Sequence, residues 1–309
     1  TKFKQKESGD YRQKLSEHPY AEHVESAVLD MLAKWYPDFF SDLVAFSGSH
    51  LAFIDQTVER FANEIQFYIG YLAYLFVIPR NELRLCYPAV ARDRDPIYAR
   101  DSYDLVLARN MAGNQVPIVN DFSLNAPERV LVVTGPNQGG KTTFARTIGQ
   151  IHHLAQLGLC VPGSSARLML CDRIYAHFGR EEDPASGNGQ LLADLKRLKP
   201  ILDRATESSL IIINEIFCST TAADASFLAL RMMRRILEAG SLAVCVTFLD
   251  ELASMGPETV SMMSTVSPED ARTRTFRIVR KPADGLAYAL HIAEKHRLTY
   301  AQLMGRLRA

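Results

Sequence analysis

The feature that most constrains this chain is a glycine-rich segment, Gly135-Pro-Asn-Gln-Gly-Gly-Lys-Thr142, which satisfies the pattern G-x-x-x-x-G-K-[ST] without a mismatch. A continuous β-branched run, residues 130–134, leads into it, and a helical pattern begins at Lys141. Glycines let the backbone turn tightly enough for successive N–H groups to point inward at phosphate oxygens. The order strand, loop, helix therefore predicts a phosphate-binding loop (P-loop) inside an α/β domain.

The parts of this loop have different expected roles toward ATP. Lys141 supplies a full positive charge for the β- and γ-phosphates, and we count it among the catalytic residues. The hydroxyl of Thr142 is expected to ligate Mg²⁺. The residues expected to bind the nucleotide are Gly135, Pro136, Asn137, Gln138, Gly139, Gly140, Lys141, Thr142 and Thr143.

A second strand must deliver carboxylates to the metal and to the attacking water. The candidate is Leu210-Ile-Ile-Ile-Asn214-Glu215, in which four apolar residues precede a polar pair. Glu215 is the expected general base. Asn214 stands where an Asp is usual; it keeps one acceptor oxygen but no charge, so we expect it to hold Mg²⁺ weakly and through water. The alternative is that Glu215 only ends a strand and the protein binds nucleotide without turnover.

The pattern along the chain divides it into a helical segment, residues 1–79, and an ATPase domain, residues 80–309. In the first, apolar residues recur at helical spacing and predict two or three helices, the last over about 50–77. In the second, strands and helices alternate, which indicates a mainly parallel sheet. The predicted strands are 83–87, 104–108, 117–124, 130–134, 209–213 and 242–247, and the predicted helices are 141–157, 190–205, 222–239 and 293–308.

Composition excludes several other classes of protein. Lys plus Arg equals Asp plus Glu at 35 each, so any DNA contact must come from a local patch rather than from a basic excess. The five cysteines form no CxxC or Cys/His spacing, which argues against zinc and fits reduced thiols in the cytoplasm. No apolar run is long enough to span a membrane. The basic residues Arg272, Arg274, Arg277, Arg280 and Lys281 fit an exposed strand face better than a DNA-phosphate contact.

The loop sequence GPNQGGKTT resembles the GPNMGGKST of MutS proteins, the mismatch-repair branch of the ABC-type ATPases. The resemblance extends in order and spacing over about residues 80–300. It includes Asp172-Arg-Ile-Tyr175 (family DRIF), Asp183-Pro-Ala-Ser-Gly187 (D-L-A-S-G, the composite-site signature), Asn214-Glu-Ile216 with Ser219-Thr-Thr221 (D-E-I-x-x-G-T-S-T), and Val246-Thr247 with Asp250-Glu-Leu252 (A-T-H-x-x-E-L).

The resemblance implies a P-loop NTPase of ABC/MutS type, preceded by α-helical levers. It implies a Mg²⁺-dependent ATPase that works as a head-to-tail homodimer, in which ATP closes the two ATPase domains and the levers pass this closure to a DNA clamp. Ser186 would help to shape the γ-phosphate site. The implied partner is double-stranded DNA, mismatched or branched. No Phe in the chain is followed two places later by Glu, so the family's Phe-x-Glu mismatch wedge is missing here.

Three departures favour an alternative function, an ATP-binding clamp or interaction module with little hydrolysis. Gly189 aligns with the signature serine, Phe248 with a histidine that senses the γ-phosphate, and Asn214 with the metal-binding Asp. The family's adenine-stacking aromatic is not evident either, because residues 116–118 are Val, Pro and Ile. Other ABC-type repair ATPases place a coiled-coil insertion before the acidic strand; about 70 residues separate Lys141 from Asn214, which argues against them.

Overall fold

The computed structural model describes residues 21–50, 54–79, 82–92, 96–111, 115–179, 189–267, 269, 273–283, 298–300 and 304. Their contacts divide the chain into two compact units, one ending at Gly70 and the other beginning at Tyr71. No helix among the described residues is long and apolar enough to cross a membrane. The predicted helix over 293–308 lies almost wholly outside the described residues.

The described residues of the first unit form three helices, α1 (Ala21–Trp35), α2 (Pro37–His50) and most of α3 (Gln56–Leu75). Pro37 opens α2, where a fixed φ and a missing N–H cost nothing because the first turn has no acceptor for that group. α2 has no buried residue, and the apolar side chains of α3 that predicted a helix, such as Val58 and Phe61, are exposed. Helical spacing therefore predicted the helices of this unit, but the apolar side chains that repeat at that spacing are largely exposed.

The second unit contains the remaining elements. Among its described residues the α-helices are α4 (Leu105–Met111), α5 (Lys141–Gln156), α6 (Gln190–Arg204) and α7 (Ala222–Glu238), and a 3-10 helix covers Asp250–Ser254. Its strands are β1 (Leu85–Cys86), β2 (Ala89–Ala91), β3 (Ile97–Ser102), β4 (Asn120–Leu124), β5 (Val130–Thr134), β6 (Val161–Pro162), β7 (Ser165–Met169), β8 (Ile174–Phe178), β9 (Leu210–Asn214), β10 (Leu242–Val246), β11 (Thr259–Val266) and β12 (Arg274–Arg280).

The main sheet has the strand order β12-β11-β5-β10-β9-β8. Every neighbouring pair is parallel except β11 with β12. The predicted α/β class with a mainly parallel sheet is thus confirmed. β5, β9 and β10 are buried at every position, which explains why their sequences are continuous apolar runs rather than alternating ones. Parallel strands end at the same edge, so the residues after β5, β9 and β10 come together there.

Helices cover both faces of this sheet. On one face Phe144 and Ile148 of α5 belong to the same buried cluster as Leu131 and Val133. On the other face Met232 and Met233 of α7, with the alternate β5 residues Val130 and Val132, form a second cluster. A strand residue that changed face would be placed under the wrong helix, so these two clusters fix the register of β5.

A smaller sheet with the order β2-β7-β3-β4 packs beside the main one. In and next to this sheet, two of the predicted strands differ from the structure. Residues 104–108, predicted as a strand, begin helix α4, because the Asp104 carboxylate accepts a hydrogen bond from the Leu107 N–H at 2.7 Å and caps the first turn. The strand predicted over 117–124 begins only at Asn120. The continuous apolar run Leu105-Val-Leu-Ala108 is also typical of a short strand, and only the capping role of Asp104 distinguishes it as the start of a helix.

Candidate nucleotide-binding site

The glycine-rich segment forms a tight turn between β5 and α5 at the carboxyl edge of the sheet. Gly135 has φ 111° and Gly140, the residue before α5, has φ 88°, a region in which a Cβ is strained. Gln138 lies between them with φ 60°. This backbone directs the loop toward the start of α5, where helix N–H groups have no intrahelical acceptor and attract anions.

Strand β11 packs directly against the loop. The Ser264 hydroxyl donates a hydrogen bond to the Gly139 carbonyl at 2.7 Å. A Cβ added at Gly139 would lie 2.1 Å from that hydroxyl oxygen, and one at Gly135 would lie 2.8 Å from the Ser264 carbonyl oxygen. A close neighbour therefore requires glycine at both positions, and at Gly135 the positive φ requires it as well. Sequence analysis missed this neighbour because Ser264 lies about 125 residues away.

Lys141 is the most enclosed charge in the site. Its Nζ donates to the carbonyls of Gly135 at 2.9 Å and Pro136 at 3.0 Å, and the side chain is buried. The ring centroid of Phe248, which follows β10, lies 4.7 Å from the same nitrogen, within cation–π range. Burial lowers the pKa of Lys141, while the Glu215 carboxylate acts in the opposite direction. The lysine is thus held at the loop with a negative charge nearby.

The acidic strand ends beside the P-loop. Asn214 is the last residue of β9, and its buried Oδ1 has no hydrogen-bond partner among the described residues. Glu215 follows with φ 50°, and its N–H donates to the Val246 carbonyl at 2.9 Å. The buried Thr134 hydroxyl at the end of β5 also lacks a partner among those residues. An unpaired buried oxygen is costly, so two of them at this edge indicate a place for an external donor.

Backbone strain concentrates at this edge. Five non-glycine residues of the described chain have positive φ, and three of them belong to the site: Gln138, Glu215 and Phe276. The left-handed conformation costs an L-residue roughly 1–2 kcal/mol. Strain of this kind persists where surrounding structure enforces it, and it is typical of functional sites.

Strand β12 contributes two side chains that sequence analysis did not assign. Arg274 Nε donates to the Asn137 carbonyl of the P-loop at 3.2 Å, and its charge lowers the pKa of Lys141. A register shift against β11 then lets Phe276 lie beside Gly140. Asn120 fixes this irregularity, because its Nδ2 donates to the Phe276 carbonyl at 3.1 Å and its Oδ1 accepts from the Ile278 N–H at 2.7 Å. The basic run is therefore not uniformly a solvated strand face.

Next to the start of α5 lies a cavity of about 730 Å³. Residues 116–118, where no stacking aromatic was evident, form one wall, and Phe276 supplies an aromatic from a distant strand. The remaining walls come from α4, α5 and the segments that flank them: Ser102, Tyr103, Asp104, Leu107, Met111, Gln115, Asn120, Gly140, Thr143, Phe144 and Thr147. No local sequence signal identifies this cavity, since four separate segments build it.

Not every expected site residue is described. Ser186 and the rest of the segment 183–187 lie outside the described residues. Gly189 immediately precedes α6 and provides no side-chain cap. Thr142 is exposed in the first turn of α5, as a metal-binding hydroxyl requires. No cluster of three or more His, Cys, Asp or Glu side chains suited to a metal occurs within the described part of the chain.

The fold and this loop together define the class: an α/β domain with a P-loop at the carboxyl edge of a mainly parallel sheet. The family described as MutS domain V matches residues 131–301, more than half of the chain, and the chain belongs to that family. This confirms the resemblance read from the sequence.

The similarity to individual relatives extends over most of this chain but over only part of each relative. DNA mismatch repair protein MutS of Methanothrix thermoacetophila is 32% identical over 76% of this chain and 27% of that protein. MutS of Chlorobaculum tepidum is 29% identical over 82% of this chain and 29% of its own length. Endonuclease MutS2 of Thermus thermophilus is 32% identical over 57% of this chain and 24% of its own length. The chain thus spans less than a third of these relatives.

Proposed function

We propose that this chain is the ATP-binding and ATP-hydrolysing part of a MutS-like protein. The observation that carries the proposal is the buried Lys141, whose Nζ donates to the Gly135 and Pro136 carbonyls at 2.9 and 3.0 Å, at the sheet edge where Glu215 follows the last residue of β9. A cation for the phosphates and a base for water are the two groups that phosphoryl transfer to water needs. One edge of the sheet brings them together.

In this mechanism Lys141 exchanges its loop carbonyl acceptors for oxygens of the terminal phosphates. Glu215 takes a proton from a water molecule as its oxygen bonds to the γ-phosphorus and the bond to the bridging oxygen of ADP breaks. The backbone of Glu215 is strained and is held by the hydrogen bond from its N–H to the Val246 carbonyl, which fixes the position of the residue at this edge of the sheet. Products are ADP and phosphate.

The residues at this edge fit Mg²⁺. The exposed hydroxyl of Thr142 would bind it directly, and the unpartnered Oδ1 of Asn214 would accept a hydrogen bond from a water of its shell. When bound, Mg²⁺ would neutralise charge that develops on the phosphate oxygens. A neutral amide holds such a water less strongly than a carboxylate does. This site would therefore bind Mg²⁺ more weakly than a site with Asp at position 214.

The cavity beside Gly140 would receive the adenine and ribose. Phe276 and Ile118 offer an exposed ring and an exposed aliphatic surface in its lining. Stacking on an aromatic contributes affinity that does not depend on the number of phosphates. We assign the missing aromatic wall of the base site to Phe276.

A second candidate function is an ATP-dependent clamp with slow turnover. The specific observation in its favour is the Phe248 ring over Lys141, because a hydrocarbon ring cannot donate a hydrogen bond to a γ-phosphate. Asn214 favours it as well. In both functions the proposed assembly is a head-to-tail homodimer, in which Ser186 of one subunit completes the nucleotide site of the other. The helices α1–α3 would act as levers, and the assembly would bind double-stranded DNA. The relatives' names motivate the DNA part.

The test combines ATP titration with turnover. Lys141→Ala is expected to weaken ATP binding about a hundredfold, because a charged phosphate contact is lost in a dry site. Glu215→Gln is expected to keep ATP affinity and to lower kcat by roughly 10²–10⁴-fold. Glu238→Gln, at the exposed end of α7, is the matched control and should match the wild type.

The outcomes separate the candidates. Unchanged ATP affinity in Lys141→Ala would refute the site. Equal background rates for the wild type and Glu215→Gln would refute catalysis, and ATP-dependent dimerisation in light scattering would then favour the clamp. Repeating turnover with homoduplex, mismatched and branched DNA tests the coupling; identical rates with and without every DNA would contradict it.

A further inference from the structure

The residues that follow β9 form a tight turn, residues 215–218, with an unusual backbone. Glu215 has φ 50° and Phe217 has φ 60°. Neither is a glycine, asparagine or aspartate, the residue types that tolerate this region most readily. For a side chain as bulky as that of phenylalanine the conformation is rare. A turn that keeps two such residues must be held by contacts that outweigh the strain.

The side chain of Phe217 is the first of these contacts. Phe217 is the most buried residue of the turn, with 2% of its surface exposed. It belongs to the apolar cluster between the main sheet and α7, together with Ile213 of β9 and Met232 of α7. Burial of an aromatic ring stabilises a protein at least as much as one left-handed residue destabilises it. The ring therefore holds the turn in its strained form.

The backbone of Glu215 is held unequally on its two sides. Its N–H donates to the Val246 carbonyl at 2.9 Å, so this side is tied to the end of β10. Its carbonyl accepts a hydrogen bond from the thiol of Cys218 at 3.2 Å, and Cys218 is exposed. A thiol is a weak donor, and an exposed one competes with water. On this second side, the position of Glu215 depends mainly on the buried residues that follow it.

We propose that Phe217 is a positioning residue for Glu215: its buried ring keeps the turn after β9 strained, and the strained turn keeps the general base in place. The inference rests on the proposed ATPase function and adds a residue to it. When the ring is removed, the backbone gains free energy by returning to negative φ, and Glu215 loses its position. Lys141 belongs to a different turn, so ATP binding is unaffected.

The first test compares Phe217→Ala with Ile236→Ala by titration, turnover at saturating ATP and thermal melting. Ile236 is an equally buried residue of the same cluster, in the last turn of α7. Phe217→Ala is expected to lower kcat roughly 10- to 100-fold and to change the dissociation constant for ATP less than about twofold. Ile236→Ala is expected to lower the melting temperature while kcat changes less than about twofold.

A milder pair of variants covers the case in which an alanine variant does not fold. Phe217→Leu keeps an apolar side chain in the cluster and is compared with Ile236→Val. We expect Phe217→Leu to retain more turnover than Phe217→Ala but to lose about threefold or more of the wild-type kcat. Ile236→Val should lose none, whatever its melting temperature.

The second test removes the base first. In the Glu215→Gln background there is no carboxylate to misplace, so Phe217→Leu should change the residual rate less than about twofold. It should still lower the melting temperature, as it does in the wild-type background. A side chain that served only to stabilise the fold would lower turnover by the same factor in both backgrounds.

The outcomes separate this inference from the function on which it rests. Equal losses of kcat in the Phe217 and Ile236 variants, or a loss of ATP affinity in Phe217→Leu that matches its loss of kcat, would overturn the positioning role. Wild-type turnover in Phe217→Leu and in a folded Phe217→Ala would also overturn it, and the ATPase function would stand. If the wild type and Glu215→Gln turned over ATP at the same background rate, the catalytic function and this inference would fail together.

Discussion

The two ends of the proposed nucleotide site are built in opposite ways. The phosphate end is one contiguous segment, 135–142, whose carbonyls are held by Lys141, Ser264 and Arg274 at 2.7–3.2 Å. The base end is assembled from four distant segments around an apolar cavity, with Phe276 half-exposed in its wall. Tight polar contacts fix positions of charge, whereas a roomy apolar wall fixes little beyond shape. The phosphate end should therefore tolerate almost no change, and the base end a good deal.

The largest expected effect is that of Gly139→Ala at the phosphate end. The new Cβ would lie 2.1 Å from Ser264 Oγ and 3.0 Å from the Pro136 carbonyl oxygen, so the loop must move. We expect ATP affinity to fall about a hundredfold and the free energy of unfolding to fall by about 1–3 kcal/mol. Titration calorimetry and chemical denaturation measure the two quantities.

A rescue and a control make this prediction specific. Ser264→Gly removes the clashing side chain, so the double variant should recover part of the affinity that Gly139→Ala loses. Gly70→Ala, on α3 with nothing within 4 Å of its added Cβ, should instead stabilise the chain by about 0.5–1 kcal/mol. Undiminished ATP binding by Gly139→Ala would mean that the loop is not tightly held, and the contrast between the two ends would disappear.

An intermediate effect is expected for Phe276→Ala at the base end. Loss of a stacking surface should weaken the binding of ATP and of ADP by the same factor, about tenfold, because the ring lines the cavity that we propose for the base. Phe227→Ala removes a similarly exposed ring from α7 and is the control. A loss confined to ATP would place Phe276 at the phosphates and break the comparison.

The same contrast explains how far sequence reasoning went. The strands β5, β9 and β10 and the helices α5, α6 and α7 were predicted to within a residue or two at each end, because buried parallel strands are continuous apolar runs and amphipathic helices repeat every 3.6 residues. The glycine-rich loop between β5 and α5 could be located from the sequence because it is contiguous. Lys141 and Glu215 could be expected to meet because carboxyl ends of parallel strands share an edge.

The base end could not be predicted for a physical reason. Its wall depends on β12 pairing with β11, and on β11 lying next to β5, which is an order of strands that no local pattern encodes. The register shift that turns Phe276 toward Gly140 is fixed by Asn120, about 156 residues earlier in the chain. The sequence of α4 predicts a strand, because a helix of 7 residues is too short for helical periodicity to be distinctive.

The smallest effect is expected for Arg274→Ala, which tests the point where the two ends join. β12 brings Arg274 to the loop and, two residues later, Phe276 to the base cavity, so the two variants should differ in kind. Arg274 acts on the Asn137 carbonyl and on Lys141. Its removal should lower the affinity for ATP about threefold and the affinity for ADP by less, since a single charge-assisted contact at a half-exposed position contributes little.

Arg277→Ala is the matched control for this variant. Arg277 is exposed on the same strand and makes no hydrogen bond to the P-loop among the described residues. Arg274→Lys should restore part of the ATP preference, because a cation returns without the guanidinium geometry. If Arg274→Ala and Phe276→Ala lowered the affinities for ATP and for ADP in the same proportions, the two side chains of β12 would act on the nucleotide in the same way. The contrast between the phosphate end and the base end would then not be explained by the residues that line them.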